Sequence, residues 1–209
     1  MGWVPMQIMA IASFLSKAHN WKSPGSDQIQ NYWLAAFPAA HSHIIKNFNV
    51  VMKEPHKAPD WLTTGVAYLL PKSGDSKEIR NYQPITCVTT VYETLAGIVA
   101  RRISHMEEQN LLPTEQKGCF LGSKGCKDQL ISKAIYEDCK RRNKNFSIAW
   151  IDYQKAFDSV PHSWVEKSVE LVGVNSKIVR FCKFSVGKWN TKLHLKTEQE
   201  VMQSQPIQI

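Results

Sequence analysis

The chain has 209 residues, 43% of them hydrophobic and 10% aromatic, which is ample for a folded core and rules out a disordered segment. Its net charge of +8 is that of a chain with an acidic partner, nucleic acid being the commonest, or equally of a moderately basic soluble protein without one. Five cysteines with no Cys-x-x-Cys pair argue against a zinc site and a disulfide scaffold, and fit a reducing compartment.

From the N-terminus, Met6 to Leu15 is an apolar run with no preceding Lys or Arg, too short to span a bilayer, and reads as an amphipathic helix. Lys22 to Asp27 (KSPGSD) is a turn-rich break. Gln28 to Val51 has helical periodicity in two pieces, because Pro38 interrupts it. Within it, His41 and His43 lack a Cys or carboxylate at ligand spacing and read as surface histidines.

Thr64 to Leu70 alternates as a strand, Pro71 to Asn81 has the composition of a hairpin tip, and Tyr82 to Val88 returns as a second strand. Pro84 confines that return strand to an edge or an end. From Val91 the period becomes helical, with Leu95, Ile98, Arg102 and Met106 recurring on one face to about Asn110. A glycine-punctuated loop follows, then a helix over Cys126 to Arg142 with Leu130, Ala134 and Ile135 as its expected buried stripe.

That helix closes on Lys140, Arg141, Arg142 and Lys144. Cations are favoured at a helix C-terminus by the dipole, so the cluster reads either as a solvated helix end or as a phosphate contact. Ser147 to Asp152 reads as an apolar strand, Ser163 to Glu166 as a capping box, and Gly173 as the C-cap of the helix between them. Beyond Thr191 the chain is polar and shows no closing element. Strands and helices mix without the regular alternation of a doubly wound sheet, which makes the fold class α+β.

The segment SIAWIDYQKAFDSVPH, Ser147 to His162, carries the chemistry. An apolar run ends on the carboxylate of Asp152, and Phe157 follows the small Ala156 five residues later. With it go KSPGSDQI (Lys22 to Ile29), WLTTGVAYLLPKSGD (Trp61 to Asp75), NYQPITCVTTVYETLAGIVARRI (Asn81 to Ile103) and NLLPTEQKGCFLGSKGCKDQL (Asn110 to Leu130). On these five collinear stretches the chain, from about Trp21 onward, resembles the reverse transcriptase domain of non-LTR (LINE-type) retrotransposons, particularly the branch that inserts at specific genomic sites.

The resemblance implies a partial right-hand polymerase. Residues 1–20 would be an N-terminal helical segment, 21–145 a fingers-like region, and 146–209 a partial palm carrying the first catalytic strand, without the second half of the palm or the thumb. It implies that Asp152 binds both Mg²⁺ ions, assisted by the backbone carbonyl of Tyr153, since magnesium takes hard oxygen ligands. Lys72, at the fingers' tip, would neutralise triphosphate charge. Phe157 would lie under the sugar of the deoxynucleoside triphosphate, beside Ala156. The partners implied are an RNA template and a DNA primer, in an intracellular setting, nuclear or cytoplasmic.

Two departures qualify the implied activity. Gln83 stands where the family has an arginine on the triphosphate, and glutamine cannot make a bidentate guanidinium–phosphate contact. After Asp158, read here as a structural carboxylate in the turn before Pro161, the remaining 51 residues hold no aspartate, whereas two-metal transfer needs more than one carboxylate. Ile209 falls just before the family's Gly-Gln-Gly-Asp loop. The expectation is a chain inactive by itself, whose Ser147 to Asp152 strand lacks a partner and invites self-association.

Two non-enzymatic readings stand beside it. One is a nucleic-acid-binding module with phosphate contacts from Arg101, Arg102, Lys140, Arg141, Arg142 and Lys144. The other is a structural partner that completes its sheet with another chain's strand. The aromatics are not spaced as a stacking platform, so the sequence predicts no base recognition.

Overall fold

Proline punctuation sets the first elements. Pro38 has no N–H to give a preceding turn, so the apolar run splits into α2 (Asn31–Ala36) and α3 (Pro38–Lys53), with Pro38 in the first turn of α3. α1 (Ile8–Leu15) precedes them and packs on both. Its entry is fixed by a reciprocal amide clasp: the Met6 N–H donates to Asn49 Oδ1 (2.7 Å) and Asn49 Nδ2 donates to the Met6 carbonyl (2.9 Å). This computed structural model describes residues 3–72, 74–75, 77–107, 126–153, 156 and 159–194.

Mixed helix and strand is what the chain forms, compatible with α+β. β1 (Thr64–Pro71) pairs antiparallel with β2 (Tyr82–Cys87), Leu70 facing Gln83 and Leu69 facing Pro84. The strand order is β2-β1-β3, so Pro84 lies on an edge strand, as its missing donor requires. β3 (Asn190–His194) runs parallel to β1, from Thr64 opposite Asn190 to Tyr68 opposite His194. The sequence shows no closing element there. Five polar-flanked residues are too few to show alternation, and their ladder partner lies far away in the chain.

α4 (Thr90–Glu107) opens on a cap that the sequence reading missed: Thr89 Oγ1 accepts from the Tyr92 N–H (3.3 Å). Leu95, Ile98 and Val99 of this helix are buried, and the side chain of Met106 lies outside the described residues. α5 (Cys126–Arg141), α6 (His162–Leu171) and α7 (Ser176–Lys188) follow, the last capped by Asn175 Oδ1, which accepts from the Lys177 N–H (3.0 Å). α7 packs on α3, with Phe48, Val51 and Met52 buried on one and Ile178, Phe181 and Val186 on the other. Each such side chain contributes about 1.5–3 kcal/mol on burial.

The chain divides into two compact units, Met1–Arg102 with Glu166–Ile209, and Ile103–Val165. The sheet, α1 to α3, α7 and all the buried apolar residues named above belong to the first. In the second, the expected stripe on α5 is exposed: Leu130 by 62%, Ile135 by 47%, and Ala134 likewise. Periodicity says which side chains share a face; it does not say that anything covers that face. Ser147 to Asp152 enters no ladder, and Ile148, Trp150 and Ile151 are exposed. A strand needs a neighbour to satisfy its backbone, and no described strand lies in this unit.

Smaller differences have equally local causes. α6 begins at His162, so Ser163 lies inside its first turn and cannot be the cap. His41 is buried, its ring bonding the Leu34 carbonyl across the Pro38 break (Nε2 to O 2.8 Å), and only His43 is a surface histidine. Gly173 does end α6 in the left-handed region (φ 74°), with its N–H on the Glu170 carbonyl (3.0 Å). Among the described residues, no helix is long and apolar enough to cross a membrane.

Gly25 has a different reason to be glycine. A Cβ there would meet the backbone of Val88 and Thr89 at 2.5–2.6 Å, whereas one at Gly173 would meet nothing. Gly25→Ala is therefore expected to cost about 2–3 kcal/mol through forced backbone displacement, and Gly173→Ala about 1 kcal/mol from left-handed strain alone. Urea unfolding of both variants checks the order, and equal costs would contradict it.

Candidate active site

The two residues expected at a triphosphate belong to the β1–β2 hairpin. The Lys72 N–H donates to the Asn81 carbonyl (2.6 Å), closing the ladder one residue beyond Pro71. Asp75 stiffens the tip: its Oδ1 accepts from the Lys77 N–H (2.9 Å) and its carbonyl accepts from Asn81 Nδ2 (2.8 Å). By strand alternation Lys72 shares a face with Leu70, and Leu70 is directly opposite Gln83, so Lys72 and Gln83 lie on the same face. Both are exposed. Arg80 sits in the turn before β2 and is paired with Glu78 (Nε to Oε2 3.1 Å).

Asp152 and Tyr153 lie in the unit Ile103–Val165, in a stretch without regular structure, and both are exposed. Ala156 is exposed and its carbonyl accepts from Ser159 Oγ (3.0 Å). Phe157 and Asp158 lie outside the described residues. Among the described residues, no group of three or more His, Cys, Asp or Glu could hold a metal ion. The Asp152 carboxylate and the Tyr153 carbonyl by themselves do not fit a magnesium site, which takes an octahedron of oxygens. No metal-dependent step is derived from this geometry.

The cationic residues separate into two kinds. Arg102 Nη1 and Nη2 donate to the carbonyls of Val4 (2.7 Å) and Pro5 (3.2 Å), and its guanidinium lies 4.8 Å from the centre of the Trp3 ring. Burial lowers its pKa from the ordinary arginine value, and the group stays charged. Arg101 donates to Ser13 Oγ (3.2 Å) and lies 5.5 Å over the Phe14 ring. These two arginines hold the N-terminal segment.

Lys140, Arg141, Arg142 and Lys144 remain exposed at the end of α5. Asp138 pairs with Arg141 (3.1 Å) and Arg142 (3.0 Å). The helix closes on Asn143 at φ 49°, with the Lys144 N–H on the Cys139 carbonyl (3.0 Å) and the Asn143 N–H on the Lys140 carbonyl (3.3 Å). Those bonds satisfy the last carbonyls in the manner of a Schellman end.

The KSPGSDQI loop is built around Asp27. Its Oδ1 accepts from the Ile29 N–H (3.2 Å), while Oδ2 is buried without a partner. Burial raises the Asp27 pKa against the opposing pull of the Ile29 and Asp27 backbone N–H groups. Four aromatic side chains, which the sequence spacing does not group, also meet nearby: Trp21, just before this loop, with Tyr32, Trp33 and Phe37 from the α2 region. The signal available was the Trp33–Phe37 spacing of four; Trp21 arrives only through the fold.

Two outcomes follow. Arg102→Ala is expected to lower stability by about 1–2 kcal/mol, since it removes charge-assisted bonds to two carbonyls. Lys140→Ala should change it by less than about 0.5 kcal/mol, and unfolding midpoints compare the two. For Asp27, a carboxyl whose folded pKa exceeds its unfolded one binds its proton more tightly in the folded chain. Stability then falls as pH rises from the ordinary carboxyl range to the raised value, and is flat above it. Asp27→Asn should remove that decline, read as the difference in urea midpoint between about pH 4 and about pH 7.

The comparisons with known proteins agree on one kind of relative. Over 178 residues the chain is 24% identical to the Retrovirus-related Pol polyprotein from type-1 retrotransposable element R2 of Popillia japonica, covering 84% of this chain and 24% of the relative. It is 26% identical over 175 residues to the probable RNA-directed DNA polymerase from transposon X-element of Drosophila melanogaster, covering 79% and 18%. To the Transposon TX1 uncharacterized 149 kDa protein of Xenopus laevis it is 24% identical over 170 residues, covering 79% and 12%. The chain thus spans a quarter or less of each relative's length. No family model matches it. Across most of its length the chain is thus similar to part of the proteins of three transposable elements, among them a Pol polyprotein and a probable RNA-directed DNA polymerase, which supports a partial reverse-transcriptase-like domain.

Proposed function

We propose that this chain is the fingers and the first part of the palm of a non-LTR retrotransposon reverse transcriptase, whose reaction is RNA-templated DNA synthesis by two-metal nucleotidyl transfer. The observation that carries the reading is collinear similarity to three transposon proteins, one of them named an RNA-directed DNA polymerase, over 79–84% of the chain. The hairpin geometry supports it. A cation and a polar side chain, Lys72 and Gln83, project from one face of a turn stiffened by Asp75, as a finger over a polyphosphate requires.

In this reading Asp152 is the metal-binding carboxylate of the palm, with the Tyr153 carbonyl beside it, and the nucleotide sugar rests near Ala156 and Phe157. The chain's own residues would orient the nucleotide: Lys72 by charge, Gln83 by hydrogen bonding only, with weaker hold than an arginine fork. The RNA template and DNA primer are the partners, and deoxynucleoside triphosphate the substrate.

Assayed by itself, the chain is proposed to be inactive. Asp152 is the one carboxylate assigned to the metals, and losing even about 5 kcal/mol of transition-state stabilisation slows a reaction roughly 10³- to 10⁴-fold. A non-catalytic binding role is favoured by a separate observation, the exposed cations Lys140, Arg141, Arg142 and Lys144 displayed by the ordered end of α5. The exposed apolar residues Ile148, Trp150 and Ile151 favour self-association through the segment that precedes Asp152.

Primer extension on an RNA template with magnesium, comparing the chain with Asp152→Ala, tests the assignment. The expected outcome is no extension above the variant. Extension that the substitution abolishes would overturn the inactivity and establish Asp152 as catalytic.

A further inference from the structure

The row of exposed aromatic rings in the unit Met1–Arg102 with Glu166–Ile209 has no role in the reading above. Trp21 stacks on Tyr32 (centroids 4.7 Å, 17°), Tyr32 meets Trp33 edge-on (5.3 Å, 78°), and Trp33 lies nearly parallel to Phe37 (6.3 Å, 22°). α2 is short and turns Leu34 and Asn31 inward, leaving Tyr32 and Trp33 outside. Trp21, Trp33 and Phe37 are 65%, 49% and 58% exposed, so each keeps ring surface open to solvent. Four neighbouring rings in water are costly, and a patch of this kind marks a contact surface.

The rings are held in place. The Tyr32 N–H donates to the Asn20 carbonyl (3.1 Å), and Asn31 Nδ2 donates to the His19 carbonyl (3.0 Å), which locks the segment carrying Trp21 to the helix carrying Tyr32 and Trp33. A platform fixed before its ligand arrives loses little entropy on binding. The same two segments supply one wall of a cavity of about 260 Å³ lined by Lys17, Lys22 and Arg101, with Lys22 paired to the single lining carboxylate, Glu93. Trp21 and Lys22 are adjacent in the chain, as are the cavity residue Asn31 and the platform residue Tyr32.

We propose that Trp21, Tyr32, Trp33 and Phe37 form a stacking platform for single-stranded nucleic acid, with Lys17, in the cavity lined by the same segments, taking a backbone phosphate. The charge decides between occupants. Exposed rings by themselves would suit an apolar protein surface, but rings beside a cationic hollow suit a ligand that alternates planar bases with phosphates. A duplex hides its base faces and fits poorly. The proposal needs no polymerase chemistry; it shares with that reading only a nucleic-acid partner.

The test is fluorescence anisotropy of the whole chain with labelled oligouridylate and oligothymidylate of about 12 nucleotides, and with an RNA duplex of equal length. Both single strands should bind more tightly than the duplex. Trp33→Ala and Phe37→Ala should each weaken binding about 5- to 100-fold, the range expected for loss of one stacked base. Lys17→Gln should weaken it and reduce the slope of log affinity against log salt by about one. Trp164→Ala, an exposed tryptophan of the other unit, should have no effect. Far-UV circular dichroism confirms that each variant is folded.

Unchanged affinity in Trp33→Ala and Phe37→Ala overturns the platform. If binding is instead lost when Lys140, Arg141, Arg142 and Lys144 become Ala, the nucleic acid lies at the end of α5, so the platform falls while the reverse-transcriptase reading stands. If no oligonucleotide binds, the platform falls, and the reverse-transcriptase reading, which rests on sequence similarity, is tested by primer extension instead. A dimer by light scattering that Trp33→Ala converts to monomer assigns the rings to a second copy of the chain, and that too overturns the proposal.

Discussion

No side chain fits at position 25, and much of the larger unit depends on that. With only a hydrogen on its Cα, Gly25 lets the KSPGSDQI loop rest against the Val88–Thr89 backbone, where the sheet hands over to α4. Around this contact Thr90 Oγ1 donates to the Ile29 carbonyl and Lys22 pairs with Glu93, so the loop is tied to the first turn of α4 on both sides. α2 starts from the loop and carries Tyr32 and Trp33. α4 starts from the junction and carries Glu93, Arg101 and Arg102. The position of the ring row, the cationic cavity and the N-terminal segment all follow from one close approach of backbones.

Two arginine–basic clusters that look alike in sequence have different surroundings. Arg101 and Arg102 emerge beside Phe14, Trp3 and the carbonyls of Val4 and Pro5, groups that a guanidinium binds through both its ring-facing plane and its donors. Arg141 and Arg142 emerge at a helix end where Asp138 is the shared acidic partner, and such exposed pairs hold their side chains only weakly. The first pair is committed to the fold. The second remains exchangeable for an external anion. Charge counts cannot make this distinction, because it rests on what lies within reach of each guanidinium.

What could be read from the sequence was whatever is local. The Pro38 break, the β1–β2 hairpin with Pro84 at its edge, the start of α4 near Val91 and the glycine after α6 are each set by a few consecutive residues. β3 was not legible, since its five residues take their meaning from β1. His41 was not, since its burial depends on a carbonyl freed by the neighbouring proline break. The stripe on α5 is legible as an apolar pattern but its exposure is not; the exposure of Ser147 to Asp152 follows from its missing partner, and what the pattern does not show is that without one the segment forms no strand. Of the candidate site, the facing of Lys72 and Gln83 follows from hairpin alternation, whereas the grouping of Trp21 with Trp33 needed the fold.

The pairing of β3 with β1 bears on how the chain is made. Residues 64–68 leave the ribosome long before residues 190–194, and the whole of Ile103–Val165 is synthesised in between. β1 can pair with β2 almost at once but must wait for its parallel neighbour, and contacts this distant in sequence slow folding. During that interval one edge of β1 is open, and α3 lacks α7, leaving Phe48 and Met52 without their cover. Nascent chains in this state are the ones that chaperones bind. A stop between Arg102 and Asn190 would therefore release a protein whose first hundred residues are complete in sequence yet unfinished in structure.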